Sequence, residues 1–579
     1  MLALLKHLKP YRTFVIAVLL MMFAGIMLEL YLPTLMAGLV DNGIAKSDIN
    51  YVWRTGGIML VCTILAVGLT IFVTYLSSRI TQGFSRDVRR MLFTHVEGLS
   101  MEQFDRLGTA SLITRTTNDI RQVQDVISMM LSMMTRAPIM LIGGIILALS
   151  RDVTLSIVFL VTLPVLAIII FFVTRKVIPL FSVLQKKTDR LNLLLRESLI
   201  GTRVVRAFNR TQFEKDRFQT ANEDYRDTGI RVNRILAVLY PIMMIAMNAT
   251  SIMIVWFGAG RIDQGAMQVG NLMAFLQYAM MILMSLIMLS MAFVAIPRAQ
   301  ASAKRINEVF ALQSAKQEVK SDIVLGEDVQ QQGAVISFEQ VSFRYAGAEK
   351  HALKDISFTA KPGQTTAIIG STGSGKSTLL KLIPRFYDPE IGKITINGVA
   401  TNLLDVDELR SLIGYIPQKA SLFRGTIRHN LRFGNPHTTD QLEQQALEIA
   451  QATNFVNSKE KGILDEVSQG GGNLSGGQKQ RLSIARALAR QPLIYLFDDS
   501  FSALDYKTDA KLRAALKQVT EKSTVIIVAQ RVNTIIDADQ IIVLHDGEVA
   551  GTGTHEQLLK SNIIYQEIVQ SQQMEEESV

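Results

Sequence analysis

A single cysteine, Cys62, in a chain of 579 residues excludes an intrachain disulfide framework, and it lies inside an apolar run. The chain has 60 lysines and arginines against 51 acidic residues, for a net charge of +9. These basic residues are dispersed and lack the interleaved aromatic platforms of a nucleic-acid surface, so no nucleic-acid partner is expected. The opening stretch, Met1 to Arg12, is too short and too polar for a secretory h-region, and no small-residue cleavage site follows the first long apolar run. That run is expected to stay in the mature protein. Charged residues make up only 19% of the chain against 49% hydrophobic ones. The apolar residues are concentrated before residue 300, so that part is expected to lie in a lipid bilayer.

Six apolar runs approach or exceed the ~20 residues a helix needs to cross a bilayer core. They centre on residues 14–36, 56–77, 127–150, 153–174, 235–257 and 268–295. Arg136 interrupts the third, which is expected to begin in the cytosol so that only its later part meets lipid. Arg151-Asp152 form a tight polar turn between the third and fourth runs, and residues 258–270 a short connection between the fifth and sixth. The long connections are different: residues 79–136 carry eight arginines, and residues 175–234 carry fourteen lysines and arginines. Positive connections stay inside, so both are expected to be cytosolic. An even number of crossings then leaves both termini cytosolic in a multi-pass protein of the cell membrane. Helical patterning such as Leu191 to Phe218 reads as helices continuing beyond the bilayer.

Residues 1–300 therefore read as a transmembrane domain. Residues 301–333, polar and charged after Pro297, read as a helix end and a linker. From Ala334 the alternation Ile336-Ser337-Phe338-Glu339 and Val341-Ser342-Phe343-Arg344-Tyr345 reads as strand, opening an α/β domain that is expected to run over 334–570. Residues 571–579, with Glu575 to Glu577, read as an acidic, solvated tail. Within that domain the apolar Thr366 to Ile369 precede Gly370-Ser371-Thr372-Gly373-Ser374-Gly375-Lys376-Ser377-Thr378, and a helical Leu379 to Ile383 follows. Strand, glycine loop and helix in that order form a Walker A loop. Its backbone N–H groups cradle a phosphate chain, Lys376 reaches the β and γ phosphates, and Ser377 offers a hydroxyl to Mg²⁺.

Further along come Leu474-Ser475-Gly476-Gly477-Gln478 and the apolar Leu493 to Phe497 ending in Asp498. In this order and spacing the three motifs resemble the nucleotide-binding domain of an ATP-binding cassette transporter. With six membrane runs ahead of it, the whole chain resembles a half-transporter of the exporter type. The resemblance implies an all-α, six-helix transmembrane domain of type I exporter fold followed by an α/β P-loop domain. It places Tyr345 against adenine, Gln418 and Asp498 with Ser377 at Mg²⁺, and Ser502 to Asp505 at a dimer interface. It also implies head-to-tail dimerisation, each ATP lying between one chain's Walker loops and the other chain's signature. There Ser475, Gly476, Gly477 and Gln478 would face the partner's nucleotide.

At two positions the sequence departs from the family pattern. After Asp498, where the family usually has a catalytic glutamate, stands Asp499. In Val528-Ala529-Gln530-Arg531, Gln530 stands where a histidine is usual. A carboxylate one methylene shorter reaches an attacking water less well, and a neutral amide cannot carry an imidazolium charge. The resemblance then implies the degenerate-site subunit of a heterodimeric multidrug exporter, with a second half-transporter as partner and amphipathic, drug-like compounds as substrates. Most hydrolysis is expected at the partner's site. A homodimeric lipid or peptide exporter is one alternative. An ATP-sensing membrane protein that does not transport is another.

Phe104 through Asp119 and Glu197 through Phe208 resemble the family's two coupling loops, which would dock near Gln418 and turn nucleotide closure into helix rotation. In the sixth run, Met273, Gln277, Met280, Met284, Met288 and Met291 form a stripe at helical spacing. It reads either as packing or as an adaptable wall for apolar ligands. Glu29, the one acidic residue in the first run, is a candidate for cationic substrates unless it sits near the outer headgroups.

Overall fold

The computed structural model describes the backbone of residues 1–312 and 333–577, arranged as two compact units. One comprises Met1–Val96 with Thr109–Ala311, the other Glu97–Gly108 with Leu312–Val579.

Among the described residues, the first unit contains six helices long and apolar enough to cross a membrane. They are α1 (Arg12–Gly38), α2 (Ile49–Glu97), α3 (Thr109–Arg151), α4 (Val153–Ile200), α5 (Thr211–Asp263) and α6 (Val269–Phe310). With 48 and 53 residues, α4 and α5 are about 72 and 80 Å long at 1.5 Å per residue, more than twice the hydrocarbon thickness. The expected extension beyond the bilayer is therefore present. The break between them is the short helix Thr202–Ala207. Asp152 makes the turn between α3 and α4. Its backbone is extended, its Oδ1 accepts from the Leu155 N–H at 2.8 Å, and its Oδ2 accepts from Arg261 Nη2 at 2.9 Å.

Helix α6 continues past Pro297 to Phe310, which supplies the helix end expected after that proline. Proline removes one backbone hydrogen bond, whereas Ala299, Ser302, Ala303, Ile306 and Val309 beyond it are all fully buried, and Arg305 pairs with Asp119. The linker thus begins later than residue 301, and residues 313–332 lie outside the described residues. Arg136 lies well inside α3, which begins at Thr109 in the first long connection, and it is paired there, its Nη2 donating to both carboxylate oxygens of Glu29. Glu29 is therefore not a free carboxylate awaiting a cation. Of the methionine stripe, Met273, Met280 and Met284 are exposed and Met288 is half-buried. The Met291 side chain lies outside the described residues.

In the second unit an antiparallel sheet has the order β2-β1-β4-β5, from β1 (Ile336–Phe343), β2 (Leu353–Ala360), β4 (Ile391–Ile396) and β5 (Val399–Ala400). The larger sheet has the order β12-β11-β3-β10-β9-β6. Its members are β3 (Thr365–Gly370), β6 (Ile413–Ile416), β9 (Ile494–Asp498), β10 (Thr524–Val528), β11 (Gln540–His545) and β12 (Glu548–Gly553). A minor ribbon pairs β7 (Gly425–Thr426) with β8 (Glu466–Val467). Every residue of β9 and β10 is buried, as expected of parallel strands covered on both faces. The last helix, Ile563–Glu577, passes the boundary at residue 570. Its Tyr565 is fully buried and its Gln572 is bonded to the domain, so the expected tail begins as a continuation of this helix, with Ser571 and Gln573 exposed.

Candidate nucleotide-binding site

Parallel register brings four strand ends to one edge. Val528 of β10 stands level with Ile368 of β3 and with Asp498 of β9, and Ile416 of β6 with Phe497. The loops leaving that edge carry the Walker A segment, Gln418, Asp498-Asp499 and Gln530. This is where a doubly wound sheet offers a ligand crevice.

The Walker loop opens into α7 (Lys376–Leu382) through Gly375 at φ +97°, and a Cβ there would lie 2.6 Å from the Ala352 carbonyl. Only glycine fits this turn. The Lys376 ammonium folds back onto its own loop, donating to the carbonyls of Gly370 and Ser371 at 2.7 Å each. Burial pushes the Lys376 pKa down, against the opposing pull of Asp499 and Asp498. A desolvated ammonium ringed by carbonyls is poised for a polyphosphate. The Ser374 hydroxyl, buried in the same loop, has no hydrogen-bond partner. An orphaned hydroxyl in a phosphate cradle is satisfied when an anion enters. Ser371, Thr372 and Gly373 are exposed on the outer turn of the loop.

Ser377 Oγ donates to Asp498 Oδ1 at 2.6 Å, and Tyr415 donates its hydroxyl to Asp498 Oδ2 at 3.1 Å. The hydroxyl, carboxylate and nearby Gln418 amide form an all-oxygen donor set of the kind Mg²⁺ takes when it shares a site with phosphates. These residues fit the ion. Mg²⁺ bound there would neutralise phosphate charge. Gln418 Nε2 donates to Asp499 Oδ2 at 3.0 Å, tying the two loops together. Asp499 is buried and its backbone is left-handed, at φ +46°. Its N–H is held by the Val528 carbonyl at 3.0 Å. Burial raises its pKa. The Gln418 bond and Lys376 pull the other way, while the neighbouring Asp498 adds to the rise.

Tyr345 lies beside the loop, its hydroxyl 3.1 Å from that of Thr378 and its ring edge-on to Tyr387 at 5.3 Å. Tyr387 in turn donates to Asp105, on the helix Met101–Leu107 of the first long connection. That helix is fixed by a Ser100–Gln103 capping box and belongs to this unit. A chain of aromatic and hydrogen-bonded contacts therefore runs from the expected adenine position to the first coupling stretch.

Gln530 is exposed, and its carbonyl accepts from Gln572 Nε2 at 2.6 Å. The signature stands elsewhere, at the start of α8 (Gly476–Arg490), where Ser475 and Gln478 form a capping box. Ser475 and Gly476 are exposed, and Gly477 and Gln478 half-buried. Among the described residues, no hydrogen bond or ion pair joins these four to the Walker residues. The structure thus brings Lys376, Ser377, Gln418, Asp498 and Asp499 to one strand edge with Tyr345 beside the loop, while among the described residues no hydrogen bond or ion pair joins Gln530 or the signature set to them. Tyr415, Tyr387 and Gln572 were missed, because their partners are 83, 282 and 42 residues away. Removing the lysine should remove the site: Lys376→Ala is expected to weaken ATP binding about 100-fold, measured by equilibrium titration, as loss of charge-assisted bonds implies.

A model of the ABC transporter transmembrane region matches residues 15–286, and one of the ABC transporter domain matches residues 353–502. An uncharacterised ABC transporter ATP-binding protein of Mycobacterium tuberculosis, Rv1273c, is 42% identical over 583 residues, covering 99% of this chain and 98% of that protein. YfiB of Bacillus subtilis, an uncharacterised protein of the same description, is 38% identical over 570 residues, covering 98% of each. A solved structure of a bacterial Atm1-family ABC exporter with ATP bound has the same fold. It superposes with a TM-score of 0.81 at 24% identity, over 97% of this chain and 98% of that one.

Proposed function

The chain belongs to the ATP-binding cassette transporter family, with membrane region and nucleotide domain on one polypeptide, and from that premise we propose that it is the degenerate-site subunit of a heterodimeric multidrug exporter. The observation that carries the reading is a split in the site. The binding half, from the Walker loop to Asp498, is complete and preassembled, while the hydrolytic half is Asp499 and Gln530.

Hydrolysis requires a base to take a proton from the water that attacks the γ-phosphorus. Asp499 is a short side chain held back on Gln418, whose Nε2 donates to its Oδ2. The short reach and the tether disfavour a base that must contact a water at ~2.6–3.2 Å. Gln530 can donate a hydrogen bond but brings no positive charge. The exposed start of α8, with the Ser475 hydroxyl and the Gly476 and Gly477 amides, suits a phosphate held by a second chain. That chain would carry glutamate and histidine at the two hydrolytic positions. Both long connections and both nucleotide domains would lie in the cytosol, with amphipathic compounds exported across the cell membrane by alternating access.

The test is steady-state ATPase of this chain purified alone in lipid, against the chain co-assembled with a half-transporter carrying that glutamate and histidine. Activity about 100-fold higher in the pair is expected, the range a positioned base supplies. Equal activity alone would make Asp499 a working base and the transporter a homodimer.

A further inference from the structure

Within the first unit a cavity of about 230 Å³ lies among α1, α2, α3 and α6. Met21 and Met22 of α1, Met133 of α3 and Met288 of α6 wall it on the apolar side, and Arg136 of α3 supplies its charge. Arg136 uses one nitrogen, Nη2, for both oxygens of Glu29, at 2.8 and 2.5 Å. Its Nε and Nη1 have no protein acceptor among the described residues. Glu29 itself is not on the cavity wall.

The hydroxyls on the wall do not compete as donors. Thr70 gives its proton to the Ala66 carbonyl, Thr74 to that of Thr70, and Ser132 to that of Ser128. The donors left for a guest belong to Arg136. A guanidinium in a membrane helix with unfilled donors is costly, and acceptor oxygens on a guest would relieve that cost. Methionine sulfurs favour flat aromatic surfaces, and a guanidinium plane stacks on them or pairs with a planar carboxylate. The volume suits about two fused rings.

We propose that this cavity binds a planar aromatic monocarboxylate, its carboxylate on Arg136 and its rings among the four methionines. The assignment deepens the exporter reading by naming a substrate class, and it replaces the cationic class that an isolated Glu29 would suggest. One anionic head fits because Glu29 already offsets much of the guanidinium charge. A doubly charged head would be repelled by the same carboxylate.

The test is equilibrium binding of radiolabelled naphthoate to the full chain in lipid nanodiscs, without ATP. Unlabelled naphthoate should displace the label, and the naphthyl trimethylammonium analogue should not. That arm uses the unaltered chain and needs no variant. Glu29→Gln frees the full positive charge and should tighten binding about 10-fold. The double variant Glu29→Gln with Arg136→Gln keeps a neutral, hydrogen-bonding pair of similar volume, and should weaken binding at least about 10-fold. Displacement by the cationic analogue, or unchanged binding in the double variant at an unchanged melting temperature, would overturn the site. Because ATP is absent, loss of binding would leave the exporter reading standing. Failure of ATPase coupling would leave the site standing.

Discussion

Placing an aspartate at Gly476 is expected to lower the ATPase rate of the assembled two-chain transporter by about 100-fold, while Asp499→Asn in the same chain lowers it no more than about two-fold. The first figure is of the size lost when a phosphate-facing amide donor is removed, and an added carboxylate also repels the phosphates. The fold should tolerate the change, because a Cβ at Gly476 would meet nothing within 4 Å. Acidic residues also suit the first turn of a helix, so α8 itself is not weakened. The asymmetry follows from the proposed division of labour, in which Gly476 would serve the nucleotide held by the partner and Asp499 would serve only this chain's own, slower site. Steady-state phosphate release by the two variants, each assembled with the same partner, measures it. Equal losses would mean that both sites turn over equally, and the division of labour would fail.

The second large effect is a gain. Asp499→Glu combined with Gln530→His is expected to raise single-site turnover of this chain's own nucleotide by about 10-fold or more, within the range a positioned general base provides. The gain has two structural obstacles. Position 499 is left-handed, at φ +46°, a conformation aspartate tolerates better than glutamate, at a cost of about 1 kcal/mol. The longer side chain must also displace Gln418, which is 3.0 Å from the present carboxylate. Gln530 is exposed and its carbonyl accepts from Gln572, so a histidine ring has room there. Single-turnover hydrolysis, with the partner's site inactivated, is the readout. No rise would show that another residue limits the step, Gln418 first among them.

Features that act locally along the chain were legible in the sequence. Bilayer thickness sets helix length, so an apolar run of the right length identifies a span without any knowledge of its neighbours. The phosphate loop is likewise a local device: strand, glycines at positive φ, lysine and helix are contiguous between Thr365 and Leu382. Asp499 and Gln530 could be read as departures because each is adjacent to its motif.

What the tertiary structure decided are pairings between distant residues. Glu29 and Arg136 are 107 residues apart, and the sequence offers one as an isolated carboxylate and the other as an interruption in an apolar run. In an apolar bundle each is tolerable mainly because the other neutralises it, and that follows only from the packing of α1 on α3. Helix α6 outlasts Pro297 because buried contacts beyond it outweigh one missing hydrogen bond. Gln418 reaches Asp499, and Tyr387 reaches Asp105, only because parallel strand order and a returning connection bring those loops together. Sequence determines which residues can make such bonds, and the folded chain determines which of them meet, because a hydrogen bond is satisfied across a few ångströms of space whatever length of chain lies between its partners.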